Sequence, residues 1–106
     1  MAINLVQGDT GPQIKATITR DSSAEDLSGA TAVLRFRKKK TSTVLFTLNT
    51  VSSDEQKALG DLFFVFSSGQ LDLDEGFYEG EIEIVNDGVR ETVYEIVDFF
   101  LREDFG

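Results

Sequence analysis

The sequence predicts an all-β chain, an immunoglobulin-like β-sandwich of about seven antiparallel strands, and three observations carry that expectation. Short apolar segments alternate with a period of two, Gly, Asn and Asp turns separate them, and a single short stretch has helical character. At 106 residues, 41% of them hydrophobic, the chain is sized for one domain, residues 1–106, around one two-layer core. Nine Phe against two Tyr and no Trp leave phenylalanine to supply most of the aromatic bulk.

Each element follows from local pattern. Ile3 to Val6 is a short apolar strand, ended by the turn Gly8-Asp9-Thr10-Gly11-Pro12. Gln13 to Arg20 alternates, with Ile14, Ala16 and Ile18 on one face and Lys15, Thr17 and Thr19 on the other, so it reads as a half-buried strand. A polar connection from Asp21 to Asp26 leads into a second turn at Leu27-Ser28-Gly29. Thr31 to Lys38 points Ala32, Leu34 and Phe36 inward and Val33, Arg35 and Arg37 outward. The chain reverses over Lys38 to Ser42 and returns along Thr43 to Asn49, with Val44, Phe46 and Leu48 inward.

Ser52 to Gly60, with a Ser or Asp cap ahead of Glu and Gln, fits a turn or two of helix bridging the sheets. Asp61 to Ser67 is apolar on both faces, Leu62, Phe64 and Phe66 against Phe63 and Val65. That makes it a central strand, or one with a face covered by another molecule. Phe77 to Val85 and Val89 to Leu101 form the longest hairpin, around Asn86-Asp87-Gly88. A two-residue loop pairs Glu83 with Thr92 and Glu81 with Tyr94, whereas a three-residue loop sets Glu83 against Glu91 and Glu79 against Glu95. Like charges directly opposite are unfavourable, so the two-residue register is expected. Its inner face is Tyr78, Gly80, Ile82, Ile84, Val93 and Val97, and its outer face a stripe of Glu79, Glu81 and Glu83.

Composition excludes much chemistry. The chain has no Cys and no His, which removes the disulfide, the thiolate nucleophile, the commonest general base and the commonest transition-metal ligand. Paired carboxylates remain, but among 19 acidic residues neighbours such as Asp72, Asp74 and Glu75 arise by chance, so no enzyme is expected and no catalytic residue is named. Asp72 to Gly76 has the clustered carboxylates of a calcium loop, but its Gly comes one residue early for the helix–loop–helix pattern, which leaves a looser loop site as the alternative to none. Gly8-Asp9-Thr10-Gly11 is followed by no Gly-Lys-Ser/Thr and binds no phosphate; no metal or cofactor is expected anywhere. Nothing resembles a signal peptide or a membrane-spanning run, so the expected setting is a cytoplasm, with no membrane partner.

Charge is divided along the chain. Residues 71–106 carry 12 acids against only Arg90 and Arg102, a net of −10, out of −9 for the whole chain. Half of the 10 bases lie in one hexapeptide, at Arg35, Arg37, Lys38, Lys39 and Lys40. A chain this acidic is a poor nucleic-acid binder. The same division suits packing between copies or onto a larger assembly, with the basic tip facing the Glu79, Glu81 and Glu83 stripe. The plainer role of the lysines is to keep a strand end from aggregating. Apolar contacts are expected at Phe63 and Val65, and Phe105 is either tucked under a loop or part of an arm that docks on a neighbour.

The order of these segments resembles a known family. Gly8-Asp9-Thr10-Gly11-Pro12, the strand from Ile14 to Arg20, and Asp26-Leu27-Ser28-Gly29-Ala30 before the next strand are similar to the N-terminal immunoglobulin-like domain of upper baseplate proteins of tailed bacteriophages. Gly76-Phe77-Tyr78-Glu79-Gly80 and the Asp87-Gly88 hairpin look like that family's Gly-x-Tyr-x-Gly strand and its turn. The resemblance implies a virion structural protein, assembled in the host cytoplasm. It would be an adaptor or decoration subunit of tail, baseplate or head-to-tail neck, contacting other virion proteins and copies of itself as a homo-oligomer. The alternative is a stand-alone carbohydrate- or host-surface-binding module, for which only Tyr78 and Tyr94 offer aromatic platforms besides Phe.

Overall fold

A computed structural model describes residues 2–86, 88–92 and 96–105. Asp87 of the expected turn, the inward Val93, and the Glu81–Tyr94 pairing lie outside the described residues. In chain order the strands are β1 (Ile3–Val6), β2 (Gln13–Thr17), β3 (Thr19–Arg20), β4 (Ser23–Ala24), β5 (Thr31–Lys38) and β6 (Val44–Asn49). Helix α1 (Asp54–Ala58) precedes β7 (Asp61–Val65), β8 (Gly76–Asn86), β9 (Val89–Thr92) and β10 (Val97–Arg102).

One large sheet runs in the order β1-β10-β8-β5-β6, with β9 also on β8, and a two-stranded sheet of β2 and β7 forms the second layer. The all-β, sandwich-like architecture is the one the alternation implied. Most pairs are antiparallel, but β1 runs parallel to β10, Ile3 beside Phe99 through Val6 beside Arg102. Glu83 stands opposite Thr92 and Asn86 opposite Val89, which is the two-residue register that charge repulsion favoured.

The two layers meet in a phenylalanine cluster. Phe36 on β5 has no exposed surface. Its ring stacks on Phe46 at 4.7 Å and on Tyr78 at 5.3 Å, and meets Phe66 edge-on at 5.9 Å and Phe99 at 5.1 Å. Gly80 faces Phe36 across the β5–β8 ladder, and a Cβ there would come within 3.2 Å of both Leu34 and Phe99. The small residue makes room for the large ones.

Three expectations yield to tertiary contacts. The strand from Gln13 to Arg20 breaks at Ile18, whose N–H donates to the Gly60 carbonyl at 2.8 Å and whose carbonyl accepts from Glu25 N–H. The chain then turns through Asp21 and Ser22, both at positive φ, as the two-residue loop of the β3–β4 hairpin rather than a formless connection. Val44, expected inward, is 44% exposed, because a bulge after Phe36 puts Val44 opposite Arg37 and leaves Leu45 as the extra residue. Strand β7 is not central; its only strand partner among the described residues is β2.

Its other edge is closed by side chains. Thr50 Oγ1 donates to the Phe63 carbonyl at 2.9 Å, Ser52 Oγ donates to the Asp61 carbonyl at 2.9 Å, and Phe63 N–H donates back to Ser52 Oγ at 2.8 Å. Because Thr50 N–H donates to Ala32 on β5, this short crossing stitches the layers together. Helix α1 follows at once, started by a capping box in which Ser53 and Gln56 satisfy each other's backbone N–H.

Gly60 holds the break at Ile18. It has φ of 77°, and an added Cβ would sit 2.5 Å from the Ile18 carbonyl oxygen, an unyielding backbone atom. Gly11 has open space around it and no positive φ. Gly60→Ala is expected to lower stability by roughly 1–3 kcal/mol in urea unfolding, and Gly11→Ala to leave it within about 0.5 kcal/mol.

Candidate interaction surface

The inner face of the large sheet is covered by β2 and β7, and its outer face is formed by the residues alternating with the core. In the middle of that face the charges expected to meet a partner meet each other. Arg35 Nη1 and Nη2 donate to the two carboxylate oxygens of Glu83 at 2.8 and 3.3 Å, a bidentate arrangement. Arg90 approaches the same carboxylate at 3.5 Å. Arg37 donates through Nε to Glu79 at 2.9 Å, directly across the β5–β8 ladder. Glu81 stands opposite Arg35 in register and is half-buried.

Glu83 is only 9% exposed, and its environment shows in its titration. The hydrogen bond from Arg35 holds the carboxyl below the ordinary glutamate value of 4.5, against an opposing effect of burial and with help from the charges of Arg35 and Arg90. The same hydrogen bond raises Arg35.

The end of the face differs. Lys38, Lys39 and Lys40 are exposed, on a turn held by Thr41, whose N–H and Oγ1 both donate to the Lys38 carbonyl, and with Lys40 at φ of 65°. Lys39 N–H donates to the Phe77 carbonyl at 3.0 Å. Alternation buries Tyr78 and Phe99, so Phe77 and Phe100 point outward, opposite each other in register with ring centroids 4.9 Å apart. Phe77 is 55% exposed. The Lys39 ammonium lies 5.9 Å from its ring centre and 3.8 Å from Asp98. Together Lys38, Lys39, Lys40 and Phe77 line an open notch of about 430 Å³.

The remaining expected contact residues lie elsewhere. Phe63 is half-buried on the small sheet under the Lys15 ammonium, 5.8 Å from its ring, and Val65 beside it is exposed. Phe105 is 92% exposed, covered by no loop, with the Arg102 guanidinium 5.1 Å from its ring. Phe77 is not among the expected contact residues, and Phe100 is so only as part of the Phe-rich last segment, although the alternation that buries Tyr78 and Phe99 turns both outward. Tyr78 is buried with its hydroxyl donating to the Asp74 carbonyl at 2.6 Å, so it offers no platform for a sugar, and Tyr94 lies outside the described residues. Among the described residues no three carboxylates are grouped to hold a metal ion, the Asp72–Gly76 loop included.

The arginine partnership sets the sign of one acid effect. With its folded pKa depressed, Glu83 contributes stability that is fully present above the unfolded glutamate value and fades as pH falls through the lower folded value. In a carboxyl NMR titration Glu83 is expected to have a midpoint below the ordinary glutamate range, and Arg35→Gln to raise it. An unchanged midpoint in that variant would remove Arg35 as the cause.

Comparison with known proteins completes the picture. No curated protein matches the sequence. Among solved structures, the N-terminal domain of phage TP901-1 ORF48 aligns with a TM-score of 0.62 at 18% identity, over 98% of this chain and 85% of that one, a likeness of fold. The family model described as the BppU N-terminal domain matches residues 1–104, nearly the whole chain. The order of turns and strands that resembled upper baseplate domains thus has its explanation: the chain belongs to the BppU N-terminal domain family, a family of phage baseplate structural domains.

Proposed function

We propose that this domain is a non-enzymatic adaptor of the phage particle, built into the baseplate region by contacts with other virion proteins and with further copies of itself. The observation that carries this reading, in a chain of a baseplate family, is the uncovered end of the outer face. There Phe77, exposed and packed on the half-buried ring of Phe100, is rimmed by lysines. Apolar centres with charged rims are how protein interfaces are commonly organised, the apolar part supplying affinity and the charges register and on-rate.

The residues divide into two roles. Arg35, Arg37, Glu79 and Glu83 are paired across β5 and β8 and stiffen the platform. Lys38, Lys39, Lys40, Val65 and Phe105 are exposed and available for contact, with Phe63 and Glu81 supporting them from half-buried positions. No cofactor, nucleic acid or membrane is needed for such a part. No helix among the described residues is long and apolar enough to cross a membrane.

The test is mass spectrometry of purified, nuclease-treated particles, with copy number counted against the major capsid protein. The expected result is presence at a small, fixed number of copies per particle. Absence from particles would overturn the reading.

A further inference from the structure

The notch and segment 103–105 lie at the same end of the large sheet. Strand β5 finishes there at Lys38, β8 begins there at Gly76 and β10 finishes there at Arg102, since Lys38 pairs with Tyr78 and Leu101 with Gly76. The two features are also opposite in character. The notch is basic and floored by an aromatic ring, and Lys38 and Lys40 have no ion-pair partner among the described residues. The segment Glu103-Asp104-Phe105 is acidic and ends on an aromatic ring that is 92% exposed.

We propose that two copies of this chain associate end to end, with Glu103-Asp104-Phe105 of each lying in the Lys38–Lys40/Phe77 notch of the other. Phe105 packs against Phe77 and Phe100, and the carboxylate of Glu103 faces the lysine ammonium groups. Because donor segment and acceptor notch share one end, a single two-fold axis satisfies both contacts at once. The interface is isologous and closes at two copies, where a notch at the opposite end would have generated open chains. The contact removes the most exposed large apolar side chain described in the structure from water and gives the unpaired lysines carboxylate partners. It rests on the adaptor reading above, and names one partner for that surface: a second copy.

Sedimentation equilibrium over a concentration series tests it on the 106-residue chain. The expected weight-average mass rises from that of the 11.7 kDa monomer toward twice that value. Phe105→Ala is expected to hold the protein at monomer mass over the same series. Two charge variants give the sharper result. K38E/K39E/K40E makes the notch acidic and E103K/D104K makes the segment basic, so each variant alone repels itself and stays monomeric. Mixed together they form a heterodimer, because both notches then face segments of opposite sign. Circular dichroism of each variant checks that the fold is retained.

Wild-type protein at monomer mass at every concentration, or a mixture that does not associate, would overturn the second copy as occupant. Either result leaves the particle measurement standing as a separate test of the adaptor reading. Conversely, dimers in solution with no copies in particles would overturn the adaptor reading and leave the self-association intact.

Discussion

The fold depends on what surrounds one ring. Phe36 sits where both layers converge, touching Phe46 and Tyr78 within the large sheet and Phe66 from the crossing segment after β7. With no disulfide and no Trp, the chain relies on aromatic contact to hold a two-stranded sheet over a much wider one. Each well-oriented aromatic pair contributes about 0.5–1.5 kcal/mol beyond the area it buries. Gly80 completes the arrangement by leaving its side-chain space to Leu34 and Phe99. Because that core alone occupies the inner face, the outer face is free to be polar where it is stiff and aromatic where it is open.

The stiffness has a local origin. Long charged side chains on neighbouring strands ordinarily wander, and an exposed ion pair contributes little. Here Arg35 holds both oxygens of a nearly buried carboxylate, and Arg37 holds Glu79 across the ladder. Two guanidinium groups are thereby held on the outer face of the sheet, and the acid excess of the second half of the chain is locally neutralised at its centre. The lysines, by contrast, are exposed at a turn, and only Lys39 has an ion-pair partner among the described residues, Asp98 at 3.8 Å.

What was legible in the sequence was whatever depended on near neighbours. Period-two alternation placed Leu34, Phe36, Ile82 and Ile84 inside, and like-charge repulsion selected the Glu83–Thr92 register. A Ser or Asp cap ahead of Glu and Gln marked the short helix, which the structure starts at Asp54 behind the Ser53 cap. What was illegible depended on distant partners. Nothing near Ile18 announces that the Gly60 carbonyl will take its N–H and break the strand, and nothing near Phe36 announces the bulge that turns Val44 outward. At the surface, charge counts marked a basic tip and an acidic stripe, but not that β5 and β8 would lie side by side and pair Arg35 and Arg37 with Glu83 and Glu79. Strand adjacency is a global property, and pairing between the arginines and glutamates follows from it alone.

The parallel pairing of β1 with β10 has a mechanical meaning. The chain enters the sheet at the Ile3 end of this pair and leaves it at the Arg102 end, with the two strands running the same way. Tension applied between the two ends of the domain therefore slides one strand along the other, and the evenly spaced, slanted hydrogen bonds of the parallel ladder bear the load together instead of opening one after another. A domain wired in this manner resists stretching along its length, because unfolding must shear several hydrogen bonds at once.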